Sequence, residues 1–421
     1  MRTLSRYLLL VFIFSVPWQN TVVLGGTRTL SSAIAVVALL ATVLTCFAEK
    51  RIAKPPVFFF AFLMFVTWQL ATYFWSVDAA STLGRVLTLV QILAMVWLVV
   101  ELCPSERERL QLMQAFVFGG IVVCLMLIQA YLSGRAMDTY RFVPRDFNPN
   151  ESADLIAMGI PMALLGIARG KRGALFWLNT MYVPLGLFSV VLTASRSGFV
   201  ATCVGLTAVV FVLRRTRSAY RILWLVVSLA VFAGVFFGLS GSQRLQANIQ
   251  RLTFSRDIGS IGTLTGRTTI WAEGLKVFSA HPLFGIGAGT FRLGVEDELG
   301  PGKDAHDMWV EIAAGTGVVG LALLAALLAA ALAPVLIWRD ESSGFYIVLF
   351  LVLLVVASLA NVVTSKALWF VLTILSVQAV AGAREGHTTG ATRGIGPPLG
   401  VELRRRPTVT QSFARQIGRE D

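Results

Sequence analysis

Titratable side chains gather in and directly after one polar stretch, residues 239–305, of a chain that is otherwise apolar. The stretch contains Arg267 and His281, and His306 follows it, so two of the chain's three histidines lie in or beside it. A histidine near its ordinary pKa can accept a proton at neutral pH, as a general base must. By position alone, His306 is better explained as an interfacial histidine and His281 as a residue that fixes a turn. Glu311, about a turn and a half beyond His306, is a competing base.

Arginines supply a second kind of chemistry. Arg141 and Arg145 lie with Asn150 in one polar segment, and Arg196 lies in a tight turn between two apolar runs. The forked guanidinium group binds two phosphate oxygens at once and stays charged at any relevant pH. With Arg267, these residues predict a site for a membrane-borne anion such as a lipid-linked pyrophosphate. The alternative is pairing with lipid phosphates or neighbouring acids. Because its turn is so short, Arg196 is expected to reach an outer cavity or its rim.

The elements that must position these residues are membrane-spanning helices. Of the 421 residues, 56% are hydrophobic and only 14% are charged, whereas a soluble protein has about 25% charged residues. Apolar runs recur that are long enough, at 1.5 Å per residue, to cross a ~30 Å hydrocarbon layer. We predict an all-α, polytopic inner-membrane protein with about twelve transmembrane helices and a large helical periplasmic loop between helices nine and ten. The predicted spans are 7–18, 30–48, 55–75, 83–103, 110–132, 152–168, 174–194, 197–213, 221–238, 308–336, 344–362 and 366–383.

Basic residues set the predicted orientation. Three loops, 49–54, 169–173 and 214–221, hold ten lysines and arginines, and short loops of this kind face the cytoplasm. Both termini are then cytoplasmic, and the polar stretch faces the periplasm. The predicted division is transmembrane helices one to nine in 1–238, the periplasmic loop with active-site residues in 239–305, helices ten to twelve in 306–383, and a basic, disordered cytoplasmic tail in 384–421.

Several classes of function are disfavoured by what the chain lacks. Few charges lie at mid-bilayer depth, where carriers usually place them, which favours a surface enzyme over a polyisoprenoid-lipid flippase or transporter. No nucleic-acid recognition module accompanies the basic tail, so membrane lipids rather than nucleic acid are its expected partners. The four cysteines lack metal-ligand spacing, so no metal site is expected.

Four pieces of the sequence resemble the O-antigen ligase and polymerase superfamily of bacterial polytopic membrane glycosyltransferases. The first is an arginine-rich loop that leads to Asn-Pro-Asn at 148–150, and the second is Ser-Arg-Ser-Gly at 195–198. The third runs from Gly-Arg to His-Pro-Leu-Phe-Gly-Ile-Gly within 266–287. The fourth and most specific, 306–320, is a histidine and one further residue, nine residues, then Gly-x-x-Gly. Asp307 departs from the amide or hydroxyl that is usual after the histidine.

The fourth piece also contains a packing pattern. Gly315, Gly317 and Gly320 are spaced so as to let a neighbouring helix approach closely. We therefore expect a helix to pack against this face of the tenth span.

The resemblance covers about residues 130–335 and implies a reaction. Such ligases move a polysaccharide from undecaprenyl diphosphate, the donor, to a sugar of the lipid A core, the acceptor, on the periplasmic face, with no metal or nucleotide cofactor. The implied catalytic residues are His306, which takes the acceptor's proton, with Arg196 and Arg267, which hold the pyrophosphate. The implied substrate-binding residues are Arg141, Arg145, His281, Asn150 and Asp307.

Two questions stay open within this superfamily. An O-antigen polymerase and a protein O-glycosyltransferase are alternatives to a ligase, although the single dominant loop favours the ligase. The sequence shows no outward pair of carboxylates suited to a two-step retaining route, so inversion at the anomeric carbon is expected.

Overall fold

The apolar runs form helices because, in hydrocarbon, a backbone must satisfy its hydrogen bonds within the segment. The computed structural model describes residues 1–25, 28–138, 141–143, 147–170, 173–215, 219–239, 241–252 and 266–377. Over these residues the protein is an all-α polytopic membrane protein, which confirms the predicted fold class. Eight helices within the described ranges are long and apolar enough to cross a membrane.

Seventeen α-helices occur in the described part of the chain. They are α1 (Arg2–Ser15), α2 (Leu30–Glu49), α3 (Val57–Ala71), α4 (Ala79–Leu102), α5 (Glu106–Leu132), α6 (Pro149–Arg169), α7 (Ala174–Thr193), α8 (Arg196–Leu206), α9 (Val209–Arg215), α10 (Ala219–Leu239), α11 (Gln243–Leu252), α12 (Arg267–Ala280), α13 (Phe291–Gly294), α14 (Glu296–Leu299), α15 (Met308–Ile337), α16 (Ser343–Leu359) and α17 (Lys366–Val377). Two antiparallel strand pairs accompany them, β1 (Val23–Gly25) with β2 (Arg28–Thr29), and β3 (Ala136–Asp138) with β4 (Arg141–Phe142).

All twelve predicted spans overlap apolar helices. The eighth span is divided into α8 and α9 by a turn at 207–208, and the other eleven each correspond to one helix. The predicted loop 239–305 contains α11 to α14, with residues 253–265 outside the described ranges. The predicted tail, 384–421, also lies outside them. The orientation of the bundle stays a prediction.

Helix α6 lies at the centre of the bundle. It packs against α5, α7, α8 and α16, and 89% of its most apolar 18-residue window is buried. Gly198, in the first turn of α8, permits a close approach of α8 to α6, because a Cβ there would lie 2.2 Å from the Cβ of Ala153. The first turns of α6 and α8 are thereby held side by side, at the end of the bundle where the polar residues of both helices lie.

Helix α15 is broken at Gly317, which has φ 68° and ψ −166°. Only glycine adopts this backbone conformation readily, and a Cβ would lie 2.2 Å from the carbonyl oxygen of Leu283. The loop before α13 fills the break: the N–H of Val318 donates to the carbonyl of Pro282 at 2.8 Å. The prediction that the glycines admit a neighbouring helix is therefore wrong at Gly317, since the segment admitted there is a loop.

Candidate active site

A cavity of about 590 Å³ opens where α4, α6 and α15 begin. Its wall mixes acids, two arginines and His306 with apolar side chains. The lining residues are Gln19, Asp78, Ser81, Arg85, Asn148, Asn150, Glu151, Asp154, Leu155, Met158, Gly289, Arg292, Leu293, Asp304, His306, Glu311, Val356, Leu359, Ala360, Asn361, Val362, Thr364 and Ser365. Two predicted site residues, His306 and Asn150, are among them.

His306 is held in an uncommon conformation immediately before α15. Its φ is +48°, in the left-handed region, which only a few per cent of residues other than glycine adopt. Trp271 of α12 fixes the preceding residue, because its indole N–H donates to the carbonyl of Ala305 at 2.9 Å. The chain is thus turned at His306, so that this half-buried side chain lines the cavity.

The electrostatic surroundings of His306 favour its neutral form. Burial lowers the pKa of His306 below its ordinary value, and the positive charges of Arg267 and Arg292 lower it further. Asp304 acts in the opposite direction and raises the pKa, but burial is the largest effect. A neutral imidazole at neutral pH is the form that accepts a proton.

Asp307 has a structural partner that the sequence analysis did not identify. It is the N-cap of α15, and its carboxylate accepts a hydrogen bond from the N–H of Val310 at 2.8 Å. Burial raises the pKa of Asp307, while hydrogen bonds from the backbone N–H groups of Val310 and Trp309 and the charge of Arg267 lower it. Asn and Ser are equally good N-caps, which explains why Asp can stand at a position where an amide or hydroxyl is usual. The structure thus gives the side chain a capping contact, and it is not among the residues that line the cavity.

Arg141 and the turn before α8 meet at Asn150. The Asn150 side-chain oxygen accepts from Arg141 at 2.7 Å and from the Ser195 hydroxyl at 2.9 Å. Arg141 also donates to the carbonyl of Thr193 at 3.1 Å. Two of the resembling sequence pieces are therefore joined directly, and Arg141 lies one residue behind the cavity wall.

Arg267 and Arg196 each donate to a carbonyl group. Arg267 Nη1 donates to Leu359, a cavity-lining residue, at 2.9 Å. Burial lowers the pKa of Arg267, and the charges of Asp154 and Asp307 raise it. Arg196 Nε donates to the carbonyl of Arg251, at the end of α11, at 2.9 Å. Arg196 was expected at the cavity or its rim; it does not line the cavity, because this contact directs it towards α11.

Two predicted residues remain, His281 and Arg145. His281 ends α12, and its exposed side chain is not part of the cavity wall. Its backbone carbonyl accepts from the N–H of Gly285 at 3.0 Å, which agrees with a turn-fixing residue. Arg145 lies outside the described residues.

The structure adds Arg85, Arg292 and Asp304 to the charged residues of the site, and it gives Glu311, the competing base, a partner. Arg85 of α4 and Glu311 of α15 form an ion pair of 2.7 Å with little exposure. Arg292 binds Asp304 through two contacts of 2.6 and 2.7 Å. The two residues of the first pair are 226 positions apart in the sequence, so no local pattern could have indicated their contact.

Carboxylates also gather at the cavity. Five of them line it, and Glu151 and Asp154 are three residues apart on α6. This spacing places both on one face of a helix, which the sequence could have indicated. Inversion at the anomeric carbon stays a prediction.

Comparison with known proteins agrees with this geometry. Residues 181–325, which include α8, α12 and the start of α15, match the O-antigen ligase family. Over 242 residues the chain is 26% identical to the exopolysaccharide production protein ExoQ of Rhizobium meliloti (strain 1021), covering 52% of this chain. The match spans about half the length of that relative, 53%. Both comparisons thereby support the resemblance of this chain to the O-antigen ligase and polymerase superfamily.

Proposed function

We propose that the protein is an O-antigen ligase, which transfers polysaccharide from undecaprenyl diphosphate to the lipid A core on the periplasmic face of the inner membrane. The observation that carries the proposal is the position of His306. It lines the cavity at the end of the bundle where α4, α6 and α15 begin, and both burial and neighbouring guanidinium groups lower its pKa and so favour its neutral form. The same region of the chain matches the O-antigen ligase family.

In the proposed reaction, His306 takes the proton of an acceptor hydroxyl while that oxygen attacks the anomeric carbon of the donor. The bond from this carbon to the pyrophosphate oxygen breaks, and the pyrophosphate leaves with the electron pair. Attack opposite the leaving group in one displacement inverts the anomeric configuration. Glu311, the competing base, is bound to Arg85 at 2.7 Å, which supports His306 in this role.

Arginines are proposed to stabilise the charge that develops on the leaving pyrophosphate. Arg267 is the best placed of them, because it contacts the cavity wall at Leu359 and acts electrostatically on His306. Arg141 adjoins the wall through Asn150. Charge-assisted contacts of this kind account for about 10²–10³-fold in rate when a single donor is removed. No step in this scheme requires a metal or a nucleotide, because the donor arrives activated.

The test is transfer by purified protein in liposomes that contain undecaprenyl-diphosphate glycan and lipid A core. Conjugate should form without added nucleotide or metal. The His306→Ala variant should bind donor but fail to transfer, while His387→Ala, in the C-terminal tail, should transfer normally. Arg267→Ala should slow transfer by about 10²-fold or more, and Arg267→Lys should restore only part because lysine lacks the fork. As a control, Arg339→Ala should have no effect, because that exposed arginine follows the opposite end of α15. Lipid translocation without conjugate would refute the enzyme and favour a flippase.

A second candidate is a polymerase that joins lipid-linked repeat units to one another. It is favoured by the relative from Rhizobium meliloti, whose name refers to exopolysaccharide production. The two candidates differ only in the acceptor. Replacing lipid A core by a second lipid-linked repeat unit in the same liposomes separates them, since a ligase should then give no product.

A further inference from the structure

We propose that the α6 wall of the cavity is the acceptor subsite, in which Asp154 binds a hydroxyl group of a neutral acceptor sugar. The inference rests on the proposed function and specifies which substrate occupies this wall. It assigns Asp154 to positioning of the acceptor and leaves proton transfer to His306.

The α6 wall consists of one face of the helix. Glu151, Asp154, Leu155 and Met158 all line the cavity. Their spacing of three, one and three residues places them on adjoining turns of the same face. Two carboxylates therefore lie beside two apolar side chains. A sugar ring presents the same combination, with hydroxyl groups at its edge and C–H groups on its faces.

Asp154 has no hydrogen-bonded partner. Only 3% of its surface is exposed, and neither carboxylate oxygen accepts a hydrogen bond from any described residue. The charge of Arg267 acts on Asp154, but the two form no ion pair among the described residues. Buried polar groups are nearly always hydrogen-bonded, because an unpaired one costs free energy. A buried carboxylate that faces a cavity without a partner is therefore available to bind a ligand.

The charge of the wall indicates which ligand that is. Both lining arginines already have acidic partners, Arg85 with Glu311 and Arg292 with Asp304. Glu151 and Asp154 form no such ion pair among the described residues, so the α6 wall itself carries carboxyl groups and no cation. It offers a pyrophosphate no positive partner, whereas sugar hydroxyl groups can hydrogen-bond to it.

A metal ion is a poor fit for these carboxylates. Among the described residues, no three His, Cys, Asp or Glu side chains are arranged to hold one. The pyrophosphate then belongs beside Arg267, and the acceptor belongs on α6. This arrangement places a nucleophilic hydroxyl in the cavity that His306 also lines.

The test measures acceptor and donor binding separately in three variants. Asp154→Asn keeps one acceptor oxygen but loses the charge, and Asp154→Leu has a similar shape but accepts no hydrogen bond. The matched control is Thr202→Val on α8, because Thr202 is also buried with an unpartnered side-chain oxygen but does not line the cavity. The KM for lipid A core is measured at saturating donor, and the KM for donor at saturating acceptor. Calorimetry with core oligosaccharide alone gives acceptor affinity without turnover.

Asp154→Asn should raise the acceptor KM by several-fold and Asp154→Leu by about 10- to 100-fold, as expected for loss of a hydrogen bond to a charged group. The donor KM should stay within about twofold, and calorimetry should show the same order of acceptor affinities. Thr202→Val should match the wild type. If Leu prevents folding, the Asn variant decides the matter by calorimetry.

Unchanged acceptor affinity in Asp154→Asn and Asp154→Leu would overturn the inference while leaving the proposed function intact. A raised donor KM with a normal acceptor KM would also overturn it, because Asp154 would then serve the donor. Failure of the wild-type protein to form any conjugate would instead refute the proposed function itself.

Discussion

The buried ion pair between Arg85 and Glu311 provides a quantitative test of how the cavity is held together. Arg85 lies in the second turn of α4 and Glu311 in the first turn of α15, so the pair joins two helices whose beginnings line the cavity. The side chains are 13% and 5% exposed, respectively, and their charged atoms are 2.7 Å apart. At 2.7 Å and an effective dielectric constant of about 20, the Coulomb attraction is about 6 kcal/mol. The desolvation of both ions offsets much of this attraction.

Removal of one partner leaves the other charge buried and unpaired. We expect Arg85→Met to lower the free energy of unfolding by about 3–5 kcal/mol, and Glu311→Leu to do the same. The double variant should recover most of the loss, because no unpaired charge remains and both replacements are apolar. The coupling energy from this double-mutant cycle isolates the pair.

The assay is unfolding in mixed micelles with increasing denaturing detergent, followed by tryptophan fluorescence. Lys276→Met is the control, because Lys276 pairs with Glu273 one turn earlier in α12 but is 71% exposed. Surface pairs of this kind contribute little to stability. The ion pair does not stabilise the site if the decreases in the free energy of unfolding of the two single variants simply add in the double variant. The same conclusion follows if Arg85→Met lowers the free energy of unfolding no more than Lys276→Met does.

Three further predictions concern the residues around α15. Asp304→Asn removes the charge that raises the pKa of His306, so the acidic limb of the kcat/KM profile should move to lower pH; a shift to higher pH would contradict the assigned electrostatics. Gly317→Ala should destabilise the protein by at least about 1–3 kcal/mol from backbone strain alone. The control, Gly84→Ala, has open space around its Cβ position and should stabilise its helix by about 0.5–1 kcal/mol. Equal unfolding midpoints for the two variants would contradict a strained backbone at Gly317. Asp307→Ala should cost about 0.5–2 kcal/mol by loss of the N-cap, while Asp307→Asn should be nearly neutral, and unfolding of both variants in the same micelles measures the difference.

The positions of the apolar helices could be predicted because they depend on local properties. An apolar run of sufficient length must become a helix in hydrocarbon wherever it lies in the bundle. The break in α15 could not be predicted in this way, since the segments on both sides of Gly317 are predominantly apolar. It depends on a backbone contact with Leu283, which precedes it by 34 positions in the sequence.

The site was predicted in part for a related reason. His306 and Asn150 could be found because they lie at the ends of apolar runs, where polar residues are conspicuous. Arg196 was placed at the cavity on the argument that a short turn restricts its direction, yet the structure directs it to a carbonyl of α11. The role of Asp154 could not be predicted, because whether a buried carboxylate is available to a ligand depends on which neighbouring groups reach it. That information exists only in three dimensions.

The spacing of the fourth resembling sequence piece has a structural explanation. The segment 308–316 is a helix of nine residues, about 14 Å long, between the N-cap Asp307 and the break at Gly317. Beyond the cap, His306 is fixed by the left-handed turn and by Trp271 of α12. At the break, α15 pairs with the loop that follows α12. Helix α12 and its loop therefore hold this short helix at both ends. This fixes the position of His306 along the axis of α15 relative to Arg267 at the start of α12. A spacing of nine residues keeps His306 in that position, whereas an insertion of one residue would rotate His306 by about 100° around the helix axis.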